Sequence, residues 1–207
     1  MNQLPRLVSL GFTSEKFPAG THICQIYSDE DERNESLFQF LRSGLESDER
    51  VACFSDKVNE SALTKFLETH EIILEDAKAS GNLNIAGTTE TYFQDNRFDP
   101  DRMLGLLAQF EVSSKEAGCP NCRAIGEMNP VIQEIEGGSR LLEYESRVSM
   151  LLRDHPVTTV CQYNATEFNG ATIMDVLNVH PWTIIRGSII KNPFFIPPEQ
   201  FLKQQLG

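Results

Sequence analysis

No apolar run in this 207-residue chain approaches the ~18–20 residues of a membrane span, and no cluster of Lys or Arg appears anywhere. The first absence excludes a transmembrane helix. The second, with 18 basic against 30 acidic residues and a net charge of −12, argues against non-specific nucleic-acid binding, which needs cations to displace counterions from phosphates. It equally disfavours an anionic membrane surface. Met1 to Leu10 carries one Arg and a broken apolar stretch, so no signal peptide is expected and cytoplasm is the default address. Five cysteines, an odd number without an export signal, read as reduced thiols. Also missing are a G-x-S-x-G elbow, an H-E-x-x-H pair and a Ser–His–Asp pattern, so nothing announces an enzyme.

What is present alternates strand and helix signals. Thr21–Tyr27, Arg50–Ser55, Asn82–Gly87, Arg123–Met128 and Val157–Tyr163 read as strands. Asp29 and Glu32 stand at capping-box spacing, which starts a helix bearing Leu37, Phe38, Leu41 and Leu45. Val58, Ala62, Phe66 and Leu67 make the next stripe. Asp99-Pro100 opens a further helix, with Met103, Leu106, Leu107 and Phe110 at i, i+3, i+4 and i+7. Ser139 is expected to cap a long helix whose stripe is Leu141, Tyr144, Val148, Leu151 and Leu152. A short helix near Thr172–Leu177 follows, Trp182–Ile190 reads as two strands, and Pro197-Pro198 opens a terminal helix. Strands separated by helices of about ten residues imply βαβ units. The fold class is therefore α/β, a mostly parallel sheet flanked by helices and ending in a β-hairpin. Residues 1–17 are expected to form an N-terminal extension and 18–207 a single domain.

In such sheets ligands bind at the carboxyl ends of the strands, which directs attention to the loops after each one. The first loop, Ser28 to Glu35, has no glycine and no lysine and holds five carboxylates, a poor cradle for a nucleotide triphosphate. ATP is not expected there. Tyr27, Glu127, Asn129, Gln162 and Tyr163 lie at strand ends and are the candidate ligand contacts. His22 and Cys24 share a strand face, Cys161 lies on another strand and His180 precedes Pro181; these four are a subsidiary candidate set for a soft metal. Against that stands the common use of buried Cys as a small hydrophobe. Cys119-Pro120-Asn121-Cys122 is one C-x-x-C pair after a helix and before a strand, which fits loop cysteines better than zinc or a thioredoxin-type thiol.

Several pieces in order resemble the MEDS family, the sensory domain named from methanogens, methylotrophs and the dichloromethane regulator DcmR. They are Gly20 to Tyr27, Phe40 to Leu45, Gly126-Glu127-Met128, Tyr144-Glu145, Cys161-Gln162-Tyr163, His180-Pro181 and Asn192 to Glu199. A Trp expected shortly after Glu127-Met128 is replaced by Asn129-Pro130. The resemblance implies a RecA/KaiC-like three-layer core that lacks a functional phosphate-binding loop. It also implies a non-catalytic sensory role, with a small hydrocarbon derivative as the suggested ligand class. No helix-turn-helix or kinase pattern follows, so the expected output is through a signalling or regulatory partner protein or through self-association. A divergent nucleotide-binding enzyme and a ligand-free adaptor stay open as alternative readings.

Overall fold

The computed structural model describes residues 6–205. The elements run β1 (Leu7–Ser9), β2 (Lys16–Pro18), β3 (His22–Tyr27), α1 (Glu30–Leu45), β4 (Arg50–Phe54), α2 (Glu60–Glu68), α3 (Leu74–Ala79), β5 (Leu83–Ala86), α4 (Thr88–Tyr92), α5 (Pro100–Glu116) and β6 (Cys122–Glu127). They continue with α6 (Leu141–Leu151), β7 (Val157–Asn164), α7 (Gly170–Val179), β8 (Trp182–Ile185), β9 (Ser188–Lys191) and α8 (Pro198–Gln205), and short 3-10 turns fill the connections around α5 and before α6. A seven-stranded sheet has the order β5-β4-β6-β7-β3-β8-β9. Every neighbouring pair is parallel except the closing β8–β9 hairpin. This is the mixed, mostly parallel α/β sheet that the strand–helix alternation predicts.

Parallel strands need crossovers, and here the crossovers put helices on both faces. The helices of one face supply Leu37, Leu41, Leu63, Leu67 and Leu74 to a core that contains Ile23, Val51, Cys53, Ile125 and Val160 from the sheet. The other face packs Met103, Leu104, Leu141, Val148 and Val176 against Cys24, Ala52, Ala124 and Val157. Successive residues of each central strand thus serve opposite cores, as the period-2 geometry of a strand requires. Both faces being covered, β6 and β7 are buried along their whole length.

Asp29 caps α1, accepting from the backbone N–H groups of Asp31 and Glu32, and Asp99 caps α5 in the same way. Ser139 does not cap α6. A 3-10 turn over Gly138–Arg140 leads into that helix, whose N-cap residue is Arg140 with no side-chain cap bond. The stripe of α5 also differs from expectation: Met103 and Leu104 are buried, whereas Leu106 is exposed.

The segment read as an N-terminal extension supplies the β1–β2 antiparallel hairpin. Leu10 and Phe17 from it are buried in the same core as Ile23 and Leu37. Gly11 there has φ +86° and abuts the Gln39 carbonyl so closely that no Cβ fits. The first five residues of that extension and the last two of the domain lie outside the described residues.

Candidate functional site

At the carboxyl end of the sheet, Glu127 is buried at the end of β6 and receives donors from three directions. Tyr27 donates its hydroxyl to Oε1 at 3.0 Å and Ser55 donates to Oε2 at 2.7 Å. Lys57 Nζ lies 3.0 Å from Oε1 and Arg33 Nη1 lies 3.8 Å from Oε2. Arg33 is fully buried in the first turns of α1, where it also donates to Glu30, Asn34 and the Lys57 carbonyl. Burial and the adjacent Glu127 carboxylate push the Tyr27 phenol up, so it remains a donor. A phosphate-binding loop would sit at this β3–α1 junction. Here the junction is filled by an arginine that ties the first loop to the ends of β4 and β6.

The other strand-end candidates divide. Asn129 caps a 3-10 turn by accepting from the Val131 N–H, and with Glu127 it borders a surface pocket of about 290 Å³. Gln162 lies deeper, donating to Gln25 at 2.8 Å, while Gln25 donates to Ser36 at 3.1 Å. Tyr163 faces the opposite core and donates to Glu145 Oε1 at 2.5 Å. The structure therefore joins Tyr27 directly to Glu127, places Asn129 beside them, and keeps Gln162 and Tyr163 apart on opposite sides of the sheet.

On that opposite side, a cavity of about 360 Å³ lies between the sheet and helices α4, α5 and α6. Its floor is made of small residues, Ala52, Ala124 and Gly126, and its walls include Phe54, Tyr92, Met103, Leu106, Leu107, Phe110 and Cys161. Gly126 also lets Tyr92 pack onto the sheet at the cavity edge, since a Cβ there would come within 2.5 Å of the Tyr92 hydroxyl. Polar groups are few and include Glu90 and Arg102. The composition matches small-molecule sites, which are mostly apolar with a few polar groups to fix orientation.

Next to this cavity, the parallel register places His22 opposite Thr159 and Cys24 opposite Cys161. His22, Cys161, Glu145 from α6 and His180 just past α7 then converge, with one ligand atom from each all lying within 4.8 Å of one another. All four residues are buried. Burial and the neighbouring His180 push the His22 imidazole down to about 4, against the pull of Glu145. Burial works against an ionised Glu145, and the facing His180 and His22 more than offset it, holding the carboxyl well below the usual range. Burial raises the Cys161 thiol, as it does Cys24, which is pushed up to about 12. Three of the four soft-metal candidates thus come together, and Cys24 stays outside the group. Cys119 and Cys122 are free thiols in a separate loop, Cys122 being buried and pushed up to about 12.

The sequence gives no site role to Glu145, which enters only through the Tyr144-Glu145 piece of the resemblance, nor to Arg33, Ser55 or Lys57. The family model described as MEDS, the methanogen/methylotroph, DcmR sensory domain, matches residues 21–181. This chain belongs to the MEDS family. All four converging residues fall inside the matched stretch of the MEDS domain. No curated protein matches the chain in sequence at a significant level. Among solved structures, a KaiC-like protein from Pyrococcus horikoshii is 16% identical with a TM-score of 0.56, over 78% of this chain and 72% of that one. The flagellar accessory protein FlaH from Methanocaldococcus jannaschii is 10% identical with a TM-score of 0.60, over 90% and 84% respectively. At these identities the likeness concerns the fold, which is KaiC-like for this MEDS domain.

Proposed function

We propose that this MEDS domain is a non-catalytic sensor whose ligand, a small and predominantly apolar molecule, occupies the cavity over Ala52, Ala124 and Gly126. The observation that carries this reading is the cavity itself: about 360 Å³ of space floored by residues too small to fill it. Family membership supports the sensory role. The apolar walls favour a hydrocarbon derivative over a charged metabolite, since an ion brought there would lose its hydration without gaining a matching set of partners. The strand ends favour a nucleotide less. A triphosphate there would have to displace Arg33 from its bonds to Glu30 and the Lys57 carbonyl, and it would face the acids of the first loop. Output passes to a regulatory partner protein or to a second copy of the chain.

The test uses short-chain alcohols and chloroalkanes as probes, with thermal stability and ligand-observed NMR as readouts. Saturable stabilisation of the wild type and its loss in Ala124→Leu, with the folded spectrum kept, is the expected result. An equal response from both proteins, or none from either, would remove the cavity as the ligand site.

A further inference from the structure

Of the cluster of His22, Glu145, Cys161 and His180, only Cys161 touches the cavity of that reading, and the cluster surrounds a carboxylate that, among the described residues, has no Arg or Lys beside it. His180 Nδ1 is 2.8 Å from the Val176 carbonyl, which can only accept, so this nitrogen carries a proton and in the neutral ring Nε2 is the nitrogen with the lone pair. His22 Nδ1 is 2.8 Å from Ser149 Oγ, whose own hydroxyl donates to the Val179 carbonyl. Ser149 therefore accepts from His22, and His22 Nε2 also turns a lone pair inward. Both lone pairs face Glu145 Oε2, at 3.3 Å from His22 and 3.5 Å from His180. His180 Nε2 is buried and makes no hydrogen bond. Among the described residues no Lys or Arg lies within ion-pair distance of Glu145. A buried carboxylate between two imidazole nitrogens calls for a positive charge among them, supplied by a proton on one ring or by a metal ion that all four side chains can reach.

We propose that these four residues form a four-coordinate site for one borderline divalent transition ion of the Zn²⁺ type, bound through His22 Nε2, His180 Nε2, Glu145 Oε2 and Cys161 Sγ. Two imidazoles, a carboxylate and a thiolate are donors that suit such an ion and do not suit Mg²⁺ or Ca²⁺, which take oxygen. Bonds of about 2.0–2.3 Å in a tetrahedron put neighbouring donors about 3.3–3.8 Å apart. Here His22–Glu145 is 3.3 Å, His180–Glu145 and His22–Cys161 are each 3.5 Å, and Cys161–Glu145 is 3.6 Å. Binding releases the Cys161 proton to solvent, so a dication meets one thiolate and one carboxylate and the buried assembly becomes neutral. The outer partners are already in place: Ser149 and Val176 fix the two imidazoles and Tyr163 holds the second oxygen of Glu145. Access is short, because His22 and Ser149 also border a surface depression of about 240 Å³.

The full chain, stripped with a chelator and then titrated with Co²⁺ alone, tests the site. The expected result is one Co²⁺ per chain, with d–d bands of a four-coordinate ion and a thiolate-to-cobalt charge-transfer band, and displacement by Zn²⁺. Cys161→Ser should abolish the charge-transfer band. Glu145→Gln, which preserves shape, should weaken binding by more than the 10–100-fold typical of an outer partner. Cys119→Ser should leave the spectrum unchanged. Absence of stoichiometric Co²⁺ binding by the folded wild type, or a charge-transfer band that survives Cys161→Ser and vanishes in Cys119→Ser, overturns the assignment. Because the wild-type spectrum alone reports sulfur ligation, a variant that fails to fold does not remove the test.

Discussion

Glu127 and Glu145 are both buried carboxylates, one on each side of the sheet, and they differ in where compensating charge comes from. Glu127 has two permanent cations near it, Arg33 and Lys57, and hydroxyl donors from Tyr27 and Ser55. Its side of the sheet repeats the pattern with Arg123, fully buried, which donates to Glu49 at 2.6 Å and to the Phe40 carbonyl at 3.0 Å. Among the described residues, Glu145 has only imidazoles, a thiol and a phenol, all neutral or titratable. A charge that the chain completes by itself builds structure. A charge left for something else to complete marks a place where something else binds.

Three substitutions probe that contrast. The largest effect is expected for Arg123→Met, which strands Glu49 as a buried, unpaired carboxylate. Breaking a buried pair in this way costs roughly 3–5 kcal/mol, read as a drop in denaturant midpoint relative to wild type that is the same size with chelator as with Zn²⁺. Next comes Tyr163→Phe, which takes the outer donor from Glu145 and should weaken metal binding by about 10–100-fold while the protein stays folded. Competition titration against a chromophoric chelator measures it, and unchanged affinity would place Tyr163 in a merely structural role. The smallest effect belongs to Lys57→Ala. Lys57 is substantially exposed and Tyr27 and Ser55 still serve Glu127, so the loss should stay under about 1 kcal/mol. A larger loss would mean that the strand-end network is less complete than its geometry indicates.

Much of the architecture was legible because long elements carry their own signals. The Asp29 and Asp99-Pro100 starts were readable from local chemistry, and Val157 to Tyr163 from its β-branched content. The pieces that escaped are short or lack such signals. β1 and β2 are three residues each and depend on packing Phe17 and Leu10 against α1. α3 and α4 are six and five residues long and neither has a side-chain cap bond. Ser139 looked like a cap from its position, but the 3-10 turn before α6 sets the entry of that helix instead.

The site was legible only in halves. His22, Cys161 and His180 could be picked out by chemistry, yet their convergence depends on a strand order, β7-β3-β8, that pattern alone does not give. Glu145 stood in the Tyr144-Glu145 piece of the resemblance but had no role attached to it. Its signal was available: it lies four residues after Leu141, three before Val148 and seven before Leu152, so it occupies the buried stripe itself. Arg33 was masked by the acids around it, its burial coming from the loops after β4 and β6 folding over α1. The cavity had no signal, because it depends on how helices α4 and α5 sit over Ala52, Ala124 and Gly126.

The Cys161 sulfur is both a wall of the apolar cavity and a corner of the four-residue cluster. With both the ligand and the ion proposed above, occupancy of the two places would be linked by a single coupling free energy. An ion that drew this sulfur towards Glu145 would reshape the cavity, and a molecule resting against the sulfur would then alter the affinity for the ion by the same factor in return. The sheet holds the backbone of β7 in register with β3 and β6 on either side, so that exchange runs through side chains and through the helices α6 and α7 that carry Glu145 and lead to His180. Besides β7, the element the two places share is α6, which lines the cavity through Tyr144 and carries Glu145 into the cluster.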